Sequence, residues 1–81
     1  MRFVPERLKS LRKSKGMTQG QLAKAAGVTR DDIVNAEAGR VKSPRYLFMM
    51  GVSQALEEDP GYFFDGDDVK KHHNISPDPA A

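Results

Sequence analysis

The chain contains no cysteine and no tryptophan, and aromatic residues make up only 7% of its 81 positions. Without cysteine there is no disulfide staple, no thiolate nucleophile and no cysteine-ligated zinc site. Long apolar runs are also missing. The longest, Leu47 to Val52, is six residues even when Gly51 is counted, against the ~20 that span a bilayer. Arg2 is not followed by an apolar stretch, so the N-terminus does not read as a secretory signal. Only 38% of the residues are hydrophobic, enough for the thin core of one small domain and no more. These absences exclude large-cavity enzymes, secreted mini-proteins and zinc fingers, and point to a soluble, cytoplasmic chain.

What is present is charge, unevenly placed. The net charge of +2 conceals a basic front, where residues 1–45 carry eleven Lys/Arg against four acids, and an acidic back, where residues 46–81 carry two Lys against seven acids. A balance of +7 followed by −5 implies an anionic partner for the first half.

Punctuation by glycine, proline and capping residues predicts an all-α, compact bundle of about five short helices, with no competing strand pattern. Pro5 suits the first position of a helix whose stripe is Val4, Leu8, Leu11 and the aliphatic stem of Lys15, ending at Gly16. Thr18, with Gln21 three residues on, is a capping-box start. Leu22, Ala23 and Ala26 form the inner face of that second helix, and Gly27 stops it. Thr29 caps a third, with Asp31 and Asp32 in its first turn, where the helix dipole favours acids. Ile33 and Ala36 face inward, and Gly39 ends it. Ser43-Pro44 predicts the start of a fourth helix running to about Glu57. Asp59-Pro60 predicts a short fifth holding Tyr62, Phe63 and Phe64. The expected boundary is therefore a domain over 1–64 and a polar, flexible tail over 65–81.

The informative stretch is Gln19 to Gly39. Two short helices meet at Ala26-Gly27-Val28, with small Ala23 where the backbones approach and Leu22, Val28, Ile33 and Ala36 at the apolar vertex. That spacing predicts a helix-turn-helix, whose second helix lies in a DNA major groove. Arg7-Leu8, Lys15-Gly16-Met17-Thr18-Gln19, Leu22-Ala23, Gly27-Val28-Thr29, Ile33 and Glu37-Ala38-Gly39-Arg40 together resemble the lambda-repressor/Cro-like (XRE) helix-turn-helix family. The likeness extends through Pro44-Arg45-Tyr46 and Asp59-Pro60-Gly61-Tyr62-Phe63-Phe64.

The resemblance implies a DNA-binding transcriptional regulator that acts as a homodimer on double-stranded DNA at a short palindromic operator. It implies base contacts from Arg30, Asp31, Val34 and Asn35, phosphate contacts from Lys42 and Arg45, and a contact from Gln19 to backbone phosphate or a base at the start of the second helix. It also implies a structural Arg12–Glu37 pair between the first and third helices. Side-chain chemistry supports part of this. Arg30 can fork onto guanine, and Asn35 can pair bidentately with adenine. Thr18 and Thr29 offer hydroxyls to phosphate, and the basic loop containing Arg40 adds electrostatic hold. Asp31 departs from the pattern: it either accepts from a cytosine amino group or only complements the helix dipole. Ala38 departs too, standing where a longer polar residue is common.

Apolar residues in Leu47-Phe48-Met49-Met50 exceed what one helix buries in a monomer, so Met50 with Tyr62, Phe63 and Phe64 forms a candidate dimer seam. His72-His73 near Asp65, Asp67 and Asp68 lacks the spacing of a metal site and reads as polar tail, so neither metal nor cofactor is expected. No nucleophile–base pair or phosphate-cradling loop stands out, so no catalytic residue is assigned. The rival reading is an antitoxin-like or interaction module whose acidic C-terminal tail binds a partner protein.

Overall fold

The computed structural model describes residues 2–66. Among these, four α-helices follow one another: α1 (Pro5–Ser14), α2 (Gln19–Ala26), α3 (Arg30–Glu37) and α4 (Tyr46–Leu56). A 3-10 turn covers Pro60–Phe63, and two short strands, β1 (Arg2–Phe3) and β2 (Phe64–Asp65), pair antiparallel.

Local chemistry sets the helix ends. Thr18 and Thr29 each head a complete capping box, with Gln21 and Asp32 as the reciprocal partners. A cap of this kind is worth about 1 kcal/mol. All four helices then close alike, with two backbone bonds folding the chain back around a left-handed residue. After α1 these are Gly16 N–H to Lys13 O (2.9 Å) and Met17 N–H to Arg12 O (3.2 Å); after α3 they are Gly39 N–H to Ala36 O (3.3 Å) and Arg40 N–H to Asn35 O (3.0 Å). Gly27 plays the same part after α2. After α4 the left-handed residue is Glu57, at φ 55°, which costs a side-chain-bearing residue ~1–2 kcal/mol.

The core gathers Phe3, Leu8, Leu22, Ala23, Ile33, Ala36, Phe48, Met49, Val52, Leu56 and Phe63. Burying a ring as completely as Phe63, at 0% exposure, contributes ~1.5–3 kcal/mol. On α1 the buried stripe is Leu8 and Arg12 with Leu11 half-buried, whereas Lys15 is exposed. The expected stripe thus turns toward Arg12, whose charge is met inside the fold. Where α4 crosses the end of α2, a β-carbon on Gly51 would stand 2.3 Å from Ala26 O. Only a residue without a side chain permits that approach.

Three sequence expectations are corrected. The fifth helix is a single 3-10 turn, because its backbone is committed elsewhere. Phe63 O accepts from Val4 N–H at 2.8 Å, and Tyr62 O and Phe64 O accept from Arg7 Nη1 at 3.1 and 2.8 Å. These bonds hold the chain where Phe64 turns extended, at φ −120° and ψ 154°, which ends the turn at Phe63. The same bonds draw the two ends of the folded unit together, giving a strand pair in register Arg2 to Asp65 and Phe3 to Phe64, so Asp65 belongs to the fold and not to the tail. Finally, α4 begins at Tyr46 with Arg45 as its cap residue. Pro44 is half-buried in a cleft that Ala36 and Phe48 also line, its ring serving packing and not helix initiation. The remaining tail positions, 67–81, with His72 and His73, lie outside the described residues.

Candidate nucleic-acid interface

The unit formed by α2 and α3 is braced from behind by one arginine. Arg12 Nε donates to Glu37 Oε2 at 2.6 Å, its Nη2 to Glu37 Oε1 at 3.1 Å, and its Nη1 to Met17 O at 2.7 Å. The two side chains are 8% and 3% exposed. Glu37 Oε1 also accepts from Gln19 Nε2 at 3.1 Å. The Arg12–Glu37 pair therefore ties together α1, the end of α3, the segment leading into α2, and the first residue of α2. Gln19, expected on phosphate, spends its amide nitrogen in this network and stands half-buried at its edge.

With Ile33 and Ala36 buried and Glu37 held from behind, α3 turns Arg30 and Asp31 outward, with Val34 and Asn35 half-buried beside them. The three acids of α3 have separate fates. Glu37 is paired with Arg12, and Asp32 Oδ2 accepts from Thr29 N–H at 3.2 Å in the capping box. Asp31 is left facing solvent. Asp32 is therefore a structural carboxylate, and of the three acids of α3 Asp31 alone is free to meet a base. Thr18 and Thr29 are exposed, and their oxygens accept from Gln21 N–H (3.0 Å) and Asp32 N–H (3.1 Å), which leaves each hydroxyl proton available to an external acceptor.

Arg40, Lys42 and Arg45 lie on the exposed segment between α3 and α4. Arg45 lines a cleft together with Asp32 and Asn35 of α3. Arg40 Nη1 donates to Asn35 Oδ1 at 2.9 Å, joining a residue expected on phosphate to one expected on a base.

The residues expected at a dimer seam differ in exposure. Phe63 is fully buried and cannot reach a second molecule. Phe64 is half-buried edge-on against Phe3, with centroids 5.7 Å apart, and Met50 is half-buried. Tyr62 is 41% exposed, but Tyr46 and Leu47 are more so, at 73% and 78%. Helical spacing held this signal: Phe48, Met49, Val52 and Leu56 share one stripe, and Leu47 falls opposite it.

Two capped helices joined by a glycine turn, the second bearing an outward polar edge flanked by cations, define a helix-turn-helix protein. A helix-turn-helix family model matches residues 8–63, and the chain belongs to that family, of the lambda-repressor-like type. It is similar to the restriction-modification controller protein C.AhdI from Aeromonas hydrophila, at 28% identity over 74% of this chain and 89% of that one, TM-score 0.69. It is also similar to the P22 c2 repressor, solved with a synthetic operator, at 28% identity over 83% of this chain and all (100%) of that one, TM-score 0.72. A third likeness is to SinR, the master regulator for biofilm formation, solved with DNA: 28% identity over 75% of this chain and 100% of that one, TM-score 0.72. SinR is from Bacillus subtilis. No helix among the described residues is long and apolar enough to cross a membrane.

Proposed function

We propose that this protein is a sequence-specific, DNA-binding transcriptional regulator that docks α3 in the major groove of a short operator. The observation that carries this reading is the outward edge of α3, Arg30–Asp31–Val34–Asn35, lying between capped helix starts and the exposed cations Arg40, Lys42 and Arg45. Side chains on the edge reach base edges, and the flanking cations hold phosphate, with Thr18, Gln19 and Thr29 at the helix starts adding polar contacts. Two of the similar structures, the P22 c2 repressor and SinR, were solved with DNA, which supports the same use of the fold here.

The reading includes a two-fold dimer, in which exposed Tyr46, Leu47 and Tyr62 supply the apolar surface for the second copy. Fluorescence anisotropy of random duplex DNA at low and high salt tests the reading. Binding should weaken steeply as salt rises, because cations on the protein displace counterions from DNA. No binding, or binding indifferent to salt, sinks it. Selection of bound duplexes from a random pool should yield a palindrome, and sedimentation should show two chains per site.

A further inference from the structure

Arg40 holds Asn35 twice. Its backbone N–H donates to Asn35 O at 3.0 Å in the turn that closes α3 around left-handed Gly39, at φ 81°. Its Nη1 donates to Asn35 Oδ1 at 2.9 Å. The first bond fixes where the arginine stem begins, directly over the last turn of the helix. The second fixes the amide. A guanidinium carries only donors, so the asparagine must turn its carbonyl oxygen toward Arg40 and its NH2 away from it.

We infer that Arg40 is a positioning residue that sets which base Asn35 reads. This rests on the DNA-binding reading above. A free asparagine suits adenine because it offers one acceptor and one donor to N6 and N7. Here one of the oxygen's two lone pairs is engaged, and the exposed guanidinium beside it carries further N–H groups. The pair thus presents mainly donors, and its remaining lone pair lies beside a cation. Adenine's N6 amino group must approach that oxygen past the guanidinium N–H groups and is disfavoured, whereas guanine shows two adjacent acceptors, O6 and N7, to the N–H groups of both residues. The base pair facing Asn35 is therefore read as guanine, and the specificity belongs to the pair of residues and not to Asn35 by itself.

The test is selection from a random duplex pool with the full chain and three variants. Asn35→Ala loses preference at one position per half-site and so identifies it. At that position the native chain should favour guanine over adenine by roughly tenfold. Arg40→Met keeps the backbone bond and the stem length but removes the donors. It should unfold at the native temperature yet drop guanine at that one position, to parity with adenine or below, with the rest of the site unchanged. Arg40→Lys, whose ammonium can still donate to Oδ1, should restore guanine. Adenine at that position in the native chain overturns the inference, as does an Arg40→Met variant that binds every sequence more weakly with the same base preferences. A native chain that selects no sequence at all refutes the DNA-binding reading itself, and the inference falls with it.

Discussion

Arg12 reaches Glu37 across the fold with Nε 2.6 Å from Oε2, and both side chains are almost wholly withdrawn from water, at 8% and 3% exposure. Two buried charges of this kind depend on each other more than the fold gains from the pair. Removing one partner leaves the other uncompensated, at a cost of about 3–5 kcal/mol, while replacing both by apolar groups is often near neutral. Arg12→Ala should therefore remove most of the stability of so small a domain, roughly 5 kcal/mol in total. Arg12→Met combined with Glu37→Leu should recover most of the loss, since the freed Gln19 amide and Met17 carbonyl both belong to half-buried residues and can hydrate. Urea unfolding of the single and double variants decides; a double variant no more stable than Arg12→Ala would mean the pair contributes real net stability.

Gly51 makes a prediction opposite to helix propensity. In an exposed helix, glycine to alanine gains about 1 kcal/mol. Here the added methyl would meet Ala26 O at 2.3 Å, and the obstacle is backbone, which cannot rotate away. Gly51→Ala should lower stability by roughly 1–3 kcal/mol, as overpacked cores do, by separating α4 from α2. A rise in the urea midpoint would show that the two helices do not approach this closely.

Glu57 occupies the one left-handed, non-glycine position among the described residues. Its conformation costs ~1–2 kcal/mol, and glycine would relieve this while giving back ~0.5–1 kcal/mol in unfolded-chain entropy. Glu57→Gly should therefore raise the melting temperature by a few degrees, at about 4–8 °C per kcal/mol for a domain of this size. Glu58→Gly is the control of opposite sign, because the Glu58 carboxylate accepts from Asp59 N–H at 2.9 Å and φ there is not left-handed. If both variants melt alike, the argument from backbone conformation fails.

The same contrast explains what could be read in the sequence. Thr18 with Gln21, and glycine at 16, 27 and 39, act through neighbours within five residues, so type and spacing reveal them. The inward faces of α2 and α3 follow from periodicity for the same reason. The pairing of β1 with β2 is not legible, since Phe3 and Phe64 are sixty-one positions apart and each strand is two residues long. Gly51 looked like one more small residue in an apolar run because its necessity lies in Ala26, on another helix. In the candidate site, the outward edge of α3 came from the family pattern, but Asn35 looked like an independent reader. What occupies its carbonyl depends on how the chain returns after Gly39, and no pattern of residue types records that.

The cations beside α3 separate hold from choice. Lys42 is exposed on the segment after α3, where the proposed function assigns it to phosphate, while Arg30 stands at the outward start of α3 itself. Lys42→Ala should weaken all duplexes by a similar factor and reduce the slope of log affinity against log salt by about one. Arg30→Ala should instead cost ~1–3 kcal/mol on the preferred operator and much less on random DNA, relaxing preference at one position per half-site. Both are measurable by anisotropy titration of operator and random duplexes over a salt series. A uniform loss for both variants would place Arg30 on phosphate. The base reading would then rest on Asp31, Val34 and Asn35, and exposed Asp31, a carboxylate facing the groove, would become the main source of sequence choice at the start of α3.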